Sequence, residues 1–238
     1  MSKLKDSIGF GEYSTRGDYH RSPNKNWLYY PIFIEKQRYV KKLCKNLNKK
    51  GSNFLDVGCG EGILVDELSK SGIDISGLDL NYKSKLVKRG SILDMPFKAN
   101  NFDVILCLDV LEHIDYNGQK KALSEIKRVL KKGGTAIISL PNIGHIAGRF
   151  VFLLGGFSRT AVPERHIGER TYKEWKNLIA EELSVEDSKG IFPTFPLISL
   201  WTLASPKASL WLHRLENSLF GRWLQSFCFL SVFRASKN

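Results

Sequence analysis

Leu55-Asp-Val-Gly-Cys-Gly-Glu-Gly62 sets a glycine-rich turn between an apolar run, residues 53–57, and a helical pattern over 62–71. Glycines in such a turn let the backbone bend sharply and approach a ligand with no Cβ in the way, while the helix start offers free N–H groups. Turns of this sort also serve NAD and FAD, but those favour G-x-G-x-x-G, whose third glycine falls one position later than Gly62. Asp79 closes a second apolar run, 75–80, and stands 21 residues after Gly58. A carboxylate at that place can accept from both hydroxyls of a ribose; taken alone, it reads equally well as a strand-end turn aspartate. Its distance from the glycine turn favours the ribose.

Outward from the turn, strand and helix patterns alternate. A short strand is expected near 86–87, a fourth strand over 102–108, a helix over 118–130 carrying Leu123, Ile126 and Leu130 on one face, and a fifth strand over 135–140. Alternation of this kind predicts an α/β, doubly wound, mostly parallel sheet that binds ligands at the strand C-terminal ends. Before it, Phe33, Val40, Leu43 and Leu47 mark an amphipathic helix within 31–48. After it come a helix around 145–154, a polar loop over 155–170, and Thr171-Tyr-Lys-Glu174, a capping-box pattern opening a helix to about residue 183. Further strands are expected at 185–191 and 226–234. The domain plan is an N-terminal arm or lid at 1–30, a helix plus ligand-binding core at 31–142, and a substrate lobe at 143–238.

Five segments stand in the order and spacing of class I S-adenosylmethionine-dependent methyltransferases: the glycine turn, Asp79, Gly90-Ser-Ile-Leu-Asp-Met-Pro-Phe97, Phe102-Asp-Val-Ile-Leu-Cys-Leu-Asp-Val-Leu-Glu-His-Ile114 and Lys132-Gly-Gly-Thr135. The chain most resembles the small-molecule group that includes the ubiquinone-biosynthesis O-methyltransferases. The likeness covers about 50–142, with a weaker echo in Arg165-His-Ile-Gly-Glu-Arg-Thr171. It implies a Rossmann-like sheet of seven strands with an antiparallel last strand, and S-adenosyl-L-methionine as cofactor. Asp56 would lie near the cofactor's ammonium, Gly58 and Gly60 along its methionine part, Asp79 at the ribose, Ile92 on the adenine, and Leu108 along the pocket wall. The group often has an acidic residue at position 91; Ser91 stands here, leaving Asp94 or a backbone carbonyl to meet the adenine amine.

Methyl transfer from a sulfonium is an in-line displacement, so the protein must align nucleophile and methyl and, for a hydroxyl acceptor, take its proton. His113, just after the fourth strand, is the expected general base, because imidazole titrates near neutrality; the alternative is a structural histidine. Glu112 either fixes its ring, contacts the cofactor or caps the next turn, and Asp109 is expected to be structural. His145 and His166 are weaker base candidates on the substrate wall. The four cysteines are scattered and no histidine stands at ligand spacing, so neither a disulfide framework nor a metal site is expected.

Net charge is +12, with lysine clusters at 41–50, 83–89 and 120–132. It favours anionic partners, namely RNA, an anionic lipid surface or a phosphorylated substrate, unless these are simply solvated helix faces. RNA or protein methylation is thus a rival to a small or lipid-linked acceptor, although no Asn-Pro-Pro-Tyr motif or RNA-binding module is present; a non-catalytic cofactor-binding scaffold is a rival of another class. The N-terminal residues lack the apolar core of a signal peptide, and the uncharged stretch 190–206 is shorter than the ~20 residues of a spanning helix. A cytoplasmic protein is expected. The tryptophan-rich insertion with Trp201, Trp211 and Trp223 reads as packing, as an oligomer face, or as a patch that contacts a membrane surface.

Overall fold

The computed structural model describes residues 23–156, 160 and 166–238. Most of the expected N-terminal arm and part of the loop over 155–170 lie outside the described residues. The chain enters through helix α1 (Tyr30–Leu47) and then builds β1 (Phe54–Val57), α2 (Ile63–Lys70), β2 (Ile75–Asp79), β3 (Val87–Arg89) and β4 (Phe102–Leu108). A 3-10 turn (Leu111–His113), α3 (Tyr116–Val129) and β5 (Leu130–Pro141) follow.

The remaining elements are α4 (Ile146–Leu153), α5 (Tyr172–Ala180), β6 (Ser184–Ile191), α6 (Pro196–Ala204), α7 (Pro206–Leu219) and β7 (Leu230–Ser236). Seven strands form one sheet in the order β3-β2-β1-β4-β5-β7-β6. β1 pairs in parallel with β2 and β4, β4 with β5, and only β7 runs antiparallel to its neighbours. The fold is the expected α/β, Rossmann-like one.

Alternation along the strands divides the interior into two layers. Leu55, Val57, Ile105, Cys107, Ala136 and Ile138 face α3 and α5, where Leu123, Ile126, Trp175 and Ile179 complete a cluster. Phe54, Val104, Leu106 and Ile137 face the other way, against Val40 and Cys44 of α1 and Val65 and Leu68 of α2. Each fully buried side chain of this size contributes roughly 1.5–3 kcal/mol. These layers fix the sheet rigidly enough to hold a site at its C-terminal edge.

Element ends depart from the sequence reading where side chains and turns intervene. β5 starts at Leu130, not 135, because Leu130 pairs with Phe102 and the ladder shifts register before Thr135. Gly133 N–H bonds to Lys237 O, so the glycine pair belongs to the sheet edge and not to a free turn. The expected capping box forms at Thr171 and Glu174, but α5 stops at Ala180. β7 opens at Leu230 because residues 225–227 wind into a 3-10 turn. The insertion becomes two helices, broken where Pro206, lacking an N–H, starts α7.

Candidate functional site

The glycine turn is fastened to the end of β2. Gly58 N–H donates to Leu78 O at 2.7 Å, and Gly60 N–H to Asp79 Oδ2 at 2.8 Å. Gly58 has φ +72°, and a Cβ there would come within 2.4 Å of Val110 Cγ2, so neither the conformation nor the space admits a side chain. Asp79 Oδ1 accepts from Asn81 and Tyr82 N–H at 2.8 and 3.2 Å. The turn-aspartate reading is therefore realised in full. It does not exclude the ribose one, since each carboxylate oxygen has a second lone pair.

Asp56, on β1 beside this turn, is only 3% exposed. Burial pushes its carboxyl up to about 7, with Asp79 adding to the rise and the Lys36 ammonium opposing it. Lys36, from α1, is itself buried and ion-paired with Asp109, which also accepts from Ser139 Oγ. Asp109 is thus a structural hub joining α1, β4 and β5, with φ +55°. Ser91 Oγ accepts from Leu93 N–H, so its hydroxyl closes a local turn. Ile92 and Leu108 are half-buried, each at the margin of a different core layer.

Past β4, the chain places Glu112 and His113 in the 3-10 turn, and a loop from far along the sequence closes over them. Gly168 N–H donates to Glu112 O at 3.0 Å. Gln119 Nε2 ties Leu111 O, Ile114 O and Gly168 O together at 2.7–3.1 Å, and Arg170 Nε holds Gln119 Oε1 at 2.7 Å. A Cβ on Gly168 would sit 2.1 Å from Ile114 O, so glycine is required for this approach. The result is that His166 meets His113 edge-on, ring centroids 4.8 Å apart.

His166 is oriented through Nδ1, which lies 2.8 Å from Thr160 Oγ1 and 3.3 Å from Glu169 Oε1. Burial raises the Glu169 carboxyl, but hydrogen bonds from His166 and Thr160 outweigh it and hold the group below its ordinary value. Glu112 is 1% exposed and its Oε2 has no hydrogen-bond partner. Burial first, then the nearby Asp109 charge, pushes the Glu112 carboxyl well up. Ligand atoms of Glu112, His113 and His166 all lie within 4.8 Å of one another, a set that can share a proton or hold a cation. Sequence spacing gave no sign of this set, since His166 lies 53 positions beyond His113.

His145 stands elsewhere. It caps α4, with Nδ1 accepting from Gly148 N–H at 3.3 Å and lying 3.3 Å from Thr194 Oγ1. Burial lowers it to about 4, which keeps the ring neutral at neutral pH. Capping of the helix after the 3-10 turn falls to Asp115, through Gly118 N–H, and not to Glu112.

β1 and β4 are neighbours, with Val57 opposite Cys107, so the glycine turn and the His113 cluster share one edge of the sheet. Residues 55–138 match the methyltransferase domain family. By that match this stretch is a methyltransferase domain. An uncharacterised protein of Methanocaldococcus jannaschii is 44% identical over 117 residues, covering 47% of this chain and 49% of that protein. A ubiquinone biosynthesis O-methyltransferase of Nitrosococcus oceani is 34% identical over 107 residues, 39% of this chain and 44% of the relative. The chain thus spans about half the length of the curated relatives it matches. Among solved structures, phosphoethanolamine N-methyltransferase 2 of Haemonchus contortus, in complex with S-adenosyl-L-methionine, aligns with a TM-score of 0.58. That alignment covers 100% of this chain and 60% of the other at 16% identity, a likeness of fold.

Proposed function

We propose that the chain transfers the methyl group of S-adenosylmethionine to a hydroxyl of a small or lipid-linked acceptor, such as a sugar, a phenol or an isoprenoid intermediate. The observation that carries this reading is the meeting of His113 and His166 beside buried Glu112, at the sheet edge that bears the glycine turn. Asp56, Gly58, Gly60 and Asp79 would hold the methionine and ribose parts of the cofactor, with Ser91, Ile92 and Leu108 around the adenine. The acceptor oxygen forms a bond to the methyl carbon as the S–CH3 bond breaks. Both electrons of that bond stay on sulfur, leaving S-adenosylhomocysteine, and the hydroxyl proton passes to the His113 imidazole. His166, fixed by Glu169 and Thr160, would line the acceptor side and hold the His113 ring.

A second reading of the same cluster rests on the unpartnered, buried Glu112 Oε2. Here Glu112, His113 and His166 take a divalent cation next to the acceptor, and Glu169 orients His166 as carboxylates commonly orient metal-bound imidazoles. Turnover lost in EDTA and restored by Mg2+ or Mn2+ would favour the cation; turnover indifferent to EDTA would favour the base.

The test of the whole reading is transfer of radiolabelled methyl from S-adenosylmethionine into organic-soluble lipid-linked sugars and phenols. Label in RNA or protein fractions would move the acceptor class. Micromolar cofactor binding by calorimetry with no transfer to any fraction would leave a non-catalytic scaffold.

A further inference from the structure

In α7 the polar and apolar faces are reversed. Ser209, His213, Glu216 and Asn217 point inward, while Trp211, Leu215 and Leu219 stand 57%, 49% and 54% exposed. α6 repeats the pattern: Thr202 is buried, its hydroxyl 2.8 Å from His213 Nε2, and Leu197, Leu200, Trp201 and Leu203 face out. The outward residues recur every three or four positions, so each helix offers one continuous apolar stripe. Trp201 and Trp211 join the two stripes edge-on at 6.2 Å.

α4 extends the surface. His145 and Ala147 hold Thr194, just before α6, and Ile146, Arg149, Phe150 and Leu153 line a groove with Leu224 and Phe227. Of the eighteen large apolar side chains left exposed among the described residues, fourteen lie within 150–154 and 197–223. That concentration far exceeds the scattered apolar exposure of an ordinary surface.

We infer that this face lies on an anionic lipid bilayer. Arg149, Lys207, Arg214 and Arg222 are exposed, Arg214 ion-paired with Glu35 of α1 at 2.9 Å and Arg222 with Asp187 of β6 at 3.5 Å, while Glu216, the one acidic residue of 143–156 and 192–229, is buried. The formal charge these segments expose is positive, and Arg149 and Lys207 carry it with no carboxylate partner among the described residues, which attracts an anionic surface and opposes self-association through the same face. Three tryptophans, 201, 211 and 223, supply the amphipathic rings favoured at a headgroup boundary. No helix among the described residues is long and apolar enough to cross a membrane, so the helices rest in the interface plane. The lobe is inserted between Ile191 and Leu230, which pair with each other beside Pro141 at the C-terminal edge of the sheet. Docking would therefore hold the His113 edge near the lipid. The inference does not need the methyltransferase reading, though it would supply that site with lipid-borne acceptors.

The experiment is flotation of the full chain with phosphatidylcholine vesicles, with and without phosphatidylglycerol, without cofactor or acceptor. The wild type should float with the anionic vesicles, less so in high salt. Leu200→Glu with Trp211→Glu should lower partitioning at least about tenfold, with circular dichroism unchanged. Lys207→Ala should lower it roughly fivefold. Brominated acyl chains should quench wild-type tryptophan emission, a readout independent of how the variants fold. Absence of wild-type flotation on anionic vesicles, or unquenched emission, overturns the inference. So does a dimer, seen by sedimentation velocity, that covers this face and that the double variant takes apart without any vesicle binding.

Discussion

The methyltransferase core and the α6–α7 lobe solve burial in opposite ways. In the core, Leu55, Ile105, Ile126 and Ile138 are wholly inside and buried Lys36 is ion-paired with Asp109, while Glu112 Oε2 and Glu169 Oε2 at the candidate site lack a hydrogen-bond partner. In the lobe, large apolar side chains face out, and the inward groups include Ser199 Oγ, His213 Nδ1, Asn217 Nδ2 and both Glu216 carboxylate oxygens, none with a hydrogen-bond partner. Buried polar groups left unpaired cost roughly 1–3 kcal/mol each. Unpaired polar atoms occur in both regions, so what sets the lobe apart is that its large apolar side chains turn outward, toward a surface that would cover them.

If the core carries the chemistry and the lobe only presents the acceptor, the largest effect belongs at the core edge. His113→Ala should slow turnover by about two to four orders of magnitude while leaving cofactor affinity by calorimetry within a few-fold. Unchanged turnover would break the contrast and move the reacting proton to His166. Next, Asp79→Ala removes a charged acceptor that also pins Gly60 and should weaken cofactor binding by about 10- to 150-fold. Equal affinity in that variant would reduce Asp79 to its turn role.

The lobe should respond in the other direction. Burial lifts the Glu216 carboxyl to about 7, above its ordinary 4.5. The folded protein thus keeps a proton there that the unfolded chain has shed, and stability falls as pH rises from about 4.5 to about 7. Glu216→Gln should remove that fall and raise stability at pH 8 by on the order of 1–3 kcal/mol. Urea titrations at pH 4.5 and pH 8 check it, and equal loss of stability in both proteins would show Glu216 to be paired in solution.

The same contrast explains what the sequence disclosed. β1, β4 and the turn at Gly58 were legible because strand alternation and positive-φ glycines are local signals. The Thr171–Glu174 box was legible for the same reason. The His113–His166 contact was not, because Gly168, Gln119 and Arg170 create it through tertiary hydrogen bonds. Trp211, Leu215 and Leu219 stand at helical spacing in the sequence, but spacing cannot say which face points inward, and here the polar one does. His145 had the residue type of a base and the position of a cap, and only its bond to Gly148 distinguishes the two.

The finest test concerns Asp56, where core burial and ligand charge meet. Its carboxyl is pushed up to about 7 chiefly by burial. If the cofactor ammonium lies against it, binding needs the ionised form, so the complex must expel a proton whenever the pH is below about 7. Cofactor affinity should then fall by up to about tenfold per unit below pH 7, the limit for one linked proton. Calorimetry at pH 6 in buffers of different ionisation enthalpy should detect nearly one proton released, and Asp56→Asn should remove both the slope and the release. A slope that survives in Asp56→Asn would assign the linked proton to another group, and with it the cation's seat. Vesicle binding by the lobe should be the same in that variant, because Asp56 lies on β1, outside the lobe.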